Sequence, residues 1–384
     1  MPSDGTNDLY MQVDHQKLNG PTVAGSCKKK YSLAALIARR PAMINWECQL
    51  LKVYLVAGLM FVASVLFVPS MAAADYKSAM KLYKDAEYDT AIIEFRKNAE
   101  LGEADSQFIL GLMYSFGRGT LTNKKEAVKW YERAAVQNHA RAQLNLGNAF
   151  RDGKGIKKNY GEAAKWFRKA ADQGNAKAQL NLAFRYKKGQ GVKKDIKQSF
   201  EWLRKSADQG YRNAQYNMGK YYSLGLGVKK NHETALFWYK KAADKGFPAA
   251  QYNVAKAYKY GAGVEKSLRT AAQWYQKAAK KGHVNAQYNF ARYLSDTGAI
   301  RDYKKASIWY LKAANKGNRL SQVKLGGMYE KGLGVDQDLF QAMAWYMISG
   351  PKSARQSHAL RGKMSTRQIS KAKKWVAAWR KKQK

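Results

Sequence analysis

Along most of the chain small and apolar residues return at helical spacing, and glycine interrupts them at regular points. In AQYNVAKAY (Ala250 to Tyr258) the apolar positions share one side of a 3.6-residue turn, and GAGV then ends the pattern. TAAQWYQKAAKKG (Thr270 to Gly282) resumes it, with lysine in the last turn and glycine where a left-handed C-terminal cap is wanted. The two stretches together predict a helical hairpin. At Asn138 the cap glycine gives way to asparagine, the other residue that tolerates this backbone conformation.

The hairpin recurs. Aromatic pairs at Trp130-Tyr131, Trp166-Phe167, Trp238-Tyr239, Trp274-Tyr275, Trp309-Tyr310 and Trp345-Tyr346, with Trp202-Leu203 among them, are spaced by 36 residues, with a single step of 35. The GxG turns at Gly117, Gly153, Gly189, Gly225 and Gly261 keep the same step. Two landmarks with one period establish a repeat. A hairpin of this size cannot bury its apolar faces alone, so neighbours are expected to stack around a continuous core. The column Ala142, Ala178, Ala214, Ala250 and Ala286 permits the close helix approach this needs. The unit at 282–316 is one residue short and reads SDTGAIRDY in place of GxGV; its loop is expected to differ without breaking the stack.

Residues 75–101 read as a degenerate N-terminal hairpin and 102–350 as seven repeats. After a break at Gly350-Pro351, residues 351–384 read as a capping helix with a basic tail, in which Ser365 and Gln368 predict a capping box. Ile369, Ala372, Val376 and Trp379 share one face of that helix, which suits a cover for the last repeat. A basic amphipathic helix lying on an anionic membrane is the alternative.

Residues 53–74 carry no charge, include VYLVAGLMFVASVLFV and end in small residues, with Ala72 and Ala74 in the small-x-small pattern that precedes a signal cleavage site. Cleavage before Asp75 is one expectation; an uncleaved anchor in the inner membrane is the other. Both place the repeats outside the cytoplasm, in agreement with the basic cluster Lys28, Lys29, Lys30, Arg39 and Arg40 on the N-terminal side. The lead-in of residues 1–52 is longer than an ordinary n-region, and a start near Met43 would give an ordinary one.

Charge narrows the partners. The chain carries a net charge of +41, and the 62 basic and 24 acidic residues after position 74 leave +38 there, so the excess belongs to the folded part and attracts acidic proteins or polyanions. Both cysteines, Cys27 and Cys48, precede the apolar segment, so neither a disulfide framework nor thiolate metal ligation is expected in the repeats.

The pattern LG-x-x-Y-x-x-G-x-G-V-x-K followed by A-x-x-W-Y-x-K-A-A-x-x-G resembles the Sel-one-like repeat, a longer relative of the tetratricopeptide hairpin, over about residues 102 to 350. The resemblance implies an all-α, right-handed superhelical solenoid whose first helices line the concave surface. It also implies roles in assembling envelope complexes, in signalling through partner domains, or in host interaction.

Little in the sequence points to catalysis or metal binding. HExxH, GxSxG, GxGxxG, GK[ST] and EF-hand patterns are absent, the histidines (His15, His139, His232, His283, His358) are scattered, and SxxK at Ser78 to Lys81 and Ser321 to Lys324 lacks SDN or KTG partners. No cofactor or metal is expected and the protein is read as a non-enzyme. Three columns remain as candidate surfaces. The first is Gln143, Gln179, Gln215, Gln251 and Gln287 with Asn145, Asn181, Asn217, Asn253 and Asn289, whose amides suit peptide backbones or sugar hydroxyls, or else satisfy backbone groups between hairpins. The second is Lys169, Lys205, Lys241, Lys277 and Lys312, and the third the pairs after the loops, Lys157-Lys158, Lys193-Lys194 and Lys229-Lys230; both are positive rows for a polyanion or simply solvated faces. The expected function is an exported, periplasmic scaffold holding a protein or peptide partner on its concave face. The alternative is a binder of anionic polymer such as exopolysaccharide, cell-wall or lipopolysaccharide material; nucleic acid comes third, since export argues against it.

Overall fold

Each second helix begins on a side chain built to start one. Asn123, Asn159, Asp195, Asn231, Ser267, Asp302 and Asp338 stand at the N-caps, and each accepts a hydrogen bond from the backbone N–H three residues on. Their own N–H groups donate back to the preceding helix, as from Asn159 to the Phe150 carbonyl and from Asp195 to the Tyr186 carbonyl. That bond closes the hairpin. Six of the first helices end in a left-handed glycine, such as Gly153 at φ +70° and Gly189 at +65°, and Asn138 takes the left-handed cap at φ +67°.

The computed structural model describes residues 76–296 and 301–382, apart from the Lys352 side chain. These form eighteen helices: α1 (76–84), α2 (Tyr88–Glu100), α3 (Ala104–Phe116), α4 (Lys124–Val136), α5 (Ala140–Asp152), α6 (Tyr160–Asp172), α7 (Ala176–Lys188), α8 (Ile196–Asp208), α9 (Arg212–Leu224), α10 (His232–Asp244), α11 (Pro248–Tyr260), α12 (Leu268–Lys280), α13 (Val284–Asp296), α14 (Tyr303–Asn315), α15 (Arg319–Lys331), α16 (Leu339–Ser349), α17 (Ala354–Arg361) and α18 (Thr366–Lys382). Among the described residues there is no strand, and none of their helices is long and apolar enough to cross a membrane. The uncharged segment 53–74 lies outside them.

Packing follows the period. Ala142, Ala178, Ala214, Ala250 and Ala286 are fully buried, and so are the second-helix alanines Ala134, Ala170, Ala242, Ala278 and Ala313. The second aromatic of each pair turns into the hairpin: Tyr131, Phe167, Tyr239, Tyr275, Tyr310 and Tyr346 are buried, each worth about 1.5–3 kcal/mol of apolar transfer. Opposite them the first helix carries only Gly or Ala. A Cβ at Gly147 would stand 2.7 Å from the Phe167 ring, and one at Gly219 2.5 Å from that of Tyr239.

The GxG turn has two jobs, where the sequence suggests one. Its first glycine caps the helix. Its second docks on the preceding repeat: a Cβ on Gly155 would overlap the Lys124 carbonyl, and one on Gly191 the Tyr160 carbonyl, at the start of the second helix one repeat back. The short unit, whose residues 297–300 lie outside the described residues, recovers its register at Asp302, whose N–H donates to the Leu294 carbonyl at 2.9 Å. The stack continues across it.

At the C-terminal end α18 lies on α16, with Trp375 and Trp379 edge-on to Trp345 at ring distances of 6.1 and 6.0 Å. The predicted capping box forms: Ser365 N–H donates to Gln368 Oε1 at 2.8 Å and Gln368 N–H to Ser365 Oγ at 3.3 Å.

Candidate functional site

The glutamine column lies inside. Gln143, Gln179, Gln215, Gln251 and Gln287 are 1–4% exposed, and each Nε2 donates to the carbonyl of the alanine eight residues earlier, at 3.0 to 3.3 Å. Those alanines, Ala135 through Ala279, sit in the last turn of the preceding second helix, where carbonyls have no intrahelical partner. As surface contacts for a partner these five residues are therefore corrected: their amides tie one repeat to the next.

The asparagines two residues on remain half-buried at the surface. Asn181 donates to Asn148 across neighbouring repeats at 3.2 Å, Lys259 Nζ donates to Asn289 at 3.4 Å, and Asn217 and Asn289 bond carbonyls of their own helices. Asn253 is half-buried on α11. Asn145 and Asn289 line two corresponding grooves between consecutive first helices, of about 370 and 190 Å³. A second-helix tyrosine lines each, Tyr131 in one and Tyr275 in the other, with Lys154 and the Arg151–Asp152 ion pair beside the first and Lys259 and the Arg292–Asp296 ion pair beside the second. Burial pushes the Tyr131 phenol up to about 12 and Tyr275 higher still, so both phenols are neutral near pH 7. Beside the first groove Arg185 is buried over the Tyr160 ring, and desolvation with the neighbouring Arg151 charge lowers its pKa.

The lysine column occupies a different surface. Lys169, Lys205, Lys241, Lys277 and Lys312 are exposed, and each ammonium lies over the tryptophan three residues earlier, at 4.2 to 5.1 Å from the ring centroid. Such contacts contribute about 0.5–1 kcal/mol each at exposed sites. Lys277 and Lys312 line clefts between the ends of successive second helices, which share no residue with the asparagine-lined grooves. Among the described residues no group of three or more His, Cys, Asp or Glu could hold a metal. Ser321 of the Ser321 to Lys324 pair is fully buried, and His139 and His283 serve as helix caps, accepting from Ala142 and Ala286 N–H.

Comparison with protein-family models matches the Sel1 repeat over residues 104–139, 140–175, 176–211, 212–247, 248–283, 284–318 and 319–346, each beginning at a first helix. The chain belongs to the Sel1 repeat family. Among solved structures it is similar to a Sel1 repeat protein from Oxalobacter formigenes, with 32% identity over 63% of this chain and 99% of that one and a TM-score of 0.57. It is also similar to c5321, a protective antigen present in uropathogenic Escherichia coli strains displaying an SLR fold, with 25% identity over 81% and 84% of the two chains and a TM-score of 0.56. No curated protein compared with the chain matches it.

Within these Sel1 repeats one change of residue went unread in the sequence. Gln137, Gln173 and Gln209, just past the second helices, donate to the Oε1 of Gln107, Gln143 and Gln179 at 2.7–2.8 Å. The next three repeats carry Lys245, Lys281 and Lys316 there, whose ammonium groups donate instead to the carbonyls of Gly210, Gly246 and Gly282. The signal was a Gln-to-Lys switch at one repeat position; its partner lies 30 residues away.

Proposed function

We propose that this Sel1 solenoid is an exported scaffold that holds an extended acidic segment of a protein partner along its first helices. A Sel1 repeat array is generally a protein-interaction scaffold, and repetition builds a long surface rather than one pocket. The observation that carries the reading is the recurrence of one groove, lined by an amide and a second-helix tyrosine with a lysine and an arginine–aspartate ion pair beside it, around Asn145 and again around Asn289. Amides there bond a peptide backbone in either direction, and Lys154 and Lys259, beside arginines already paired with Asp152 and Asp296, favour carboxylates. No step of chemistry is required. Export is supported by the uncharged segment at 53–74 and the small residues that end it.

The test is site-specific photo-crosslinking in cells. A crosslinking side chain at Asn145 or Asn289 is expected to give one discrete protein adduct in the envelope fraction, and the same probe at Lys169 none. A smear of adducts, or equal yield from Lys169, would remove the groove from the proposal; a cytoplasmic adduct would remove export.

A further inference from the structure

The Gln-to-Lys switch leaves something open. In the N-terminal hairpins the inter-repeat glutamine uses both ends of its amide, donating to the alanine carbonyl and accepting from Gln137, Gln173 or Gln209. In the C-terminal ones the donor end is still used, but the Oε1 atoms of Gln215, Gln251 and Gln287 are buried without a partner. A buried acceptor left unpaired costs roughly 1–3 kcal/mol, so three in register ask for an explanation.

Two of these orphaned amides line open clefts. Gln251 stands in a cleft of about 410 Å³ beside Lys277 and Lys281, and Gln287 in one of about 660 Å³ beside Lys312 and Lys316. Lys280 reaches both. At the place of Lys280 the earlier repeats carry Asp172, Asp208 and Asp244, so positive charge concentrates towards the C-terminal hairpins. Each cleft is lined by three lysines, a tryptophan and the glutamine whose oxygen has no donor, and the Gln251 cleft also carries the Asp244 carboxylate, which leaves it the less positive of the two.

A group that completes such a cleft brings an anion and a hydrogen-bond donor together. An acidic sugar does so within one ring, its carboxylate meeting the lysines while a hydroxyl on a nearby carbon donates to the glutamine oxygen. An acidic peptide brings a carbonyl with every N–H, and in these clefts that carbonyl competes with the carboxylate for the same ammonium groups. We infer that the second-helix clefts at Gln251/Lys281 and Gln287/Lys316 bind an anionic polysaccharide, each cleft holding one acidic sugar. Because they share no residue with the asparagine-lined grooves, this surface stands or falls independently of the protein partner.

The repeat itself supplies the variant that tests the idea. Lys281→Gln with Lys316→Gln restores, at both clefts, the glutamine bridge that the N-terminal hairpins already use, so the fold is expected to hold or gain thermal stability. The full-length chain is titrated with polygalacturonate, and with polyglutamate at the same charge. The double variant is expected to lose on the order of fivefold or more in polygalacturonate affinity, while Lys157→Gln with Lys193→Gln, an equal charge change on exposed loop lysines, moves it less than about twofold. Equal losses from the two variants would mean that charge alone is sensed and would overturn the site. Polyglutamate binding as tightly as polygalacturonate would overturn the sugar in favour of an acidic protein, and no binding of polygalacturonate by the unaltered chain would end the proposal.

Discussion

The hairpins of residues 104–211 and those of 212–318 share one backbone recipe and differ in how they fasten one repeat to the next. In the first set the glutamine that ties a repeat to the one before it also accepts from a second glutamine of its own hairpin, Gln173 to Gln143 at 2.7 Å being typical. In the second set a lysine reaches a glycine carbonyl of the repeat before it, as Lys281 does to Gly246 at 2.9 Å, and the glutamine oxygen is left unanswered. The cation still does structural work, because it meets a carbonyl just past a helix C-terminus, where the backbone dipole is negative. The difference teaches that identical helices can be joined either for closure or for reactivity towards solutes. A neutral bridge pairs its amide at both ends, whereas a cationic one keeps its charge and leaves a buried acceptor unpaired.

The strongest way to break the comparison is at a docking glycine. Gly191 joins two repeats of the first set at φ +76°, where an added Cβ overlaps the Tyr160 carbonyl. Gly227 joins the two sets at φ +67°, where the same Cβ stands 2.7 Å from the Ile196 carbonyl. Gly191→Ala is expected to cost on the order of 3 kcal/mol or more from strain and backbone displacement together, and Gly227→Ala about 1–2 kcal/mol. Urea unfolding of both variants checks the order; equal losses would mean that the joints are equally tight.

The next effect separates the two kinds of bridge directly. Gln179→Leu strands two partners, the Ala171 carbonyl and the Gln209 amide, and is expected to cost about 2–3 kcal/mol. Gln251→Leu strands only the Ala243 carbonyl and removes an acceptor that already had no partner, so about 1 kcal/mol is expected. Denaturant midpoints at a common slope decide it, and equal costs would mean that the orphaned oxygen is in fact satisfied.

Much of this was open to reading in the chain, for a physical reason. Period, caps and apolar spacing are local, so the hairpins, the left-handed Asn138 and the capping box at Ser365 follow from a few neighbouring residues. The glutamine ladder was visible as a column, but its direction was not. A first-helix position two residues from a surface asparagine differs from it by about 200° around the helix, and only the packed neighbour decides which of the two is covered. The second glycine of GxG and the lysines after position 244 act across repeats. Their partners are some 30 residues away in sequence and invisible to any window shorter than one period.

The smallest effect compares two histidines at one repeat position. His139 and His283 both cap the following helix through Nδ1, at 3.0 and 3.2 Å from the Ala142 and Ala286 nitrogens. His139 also meets Asp105 at 3.0 Å, whereas the residue in Asp105's place before His283 is Ala249, and the His283 ring lies stacked on Tyr252 at 4.6 Å. Burial disfavours the imidazolium there and holds His283 below its ordinary 6.5. Above 6.5 the ring is neutral folded and unfolded, and its contribution is whole. As the pH falls from 6.5 through the lower folded value, the unfolded chain takes up the proton first and stability is lost. Asparagine already makes the same cap at Asn175 and Asn318, so His283→Asn keeps the bond without the titration. Between about pH 7.5 and about pH 5.5 the melting temperature of the unaltered chain is expected to fall further than that of the variant. Parallel falls would show that His283 keeps its cap when protonated, which its Nδ1 lone pair does not allow.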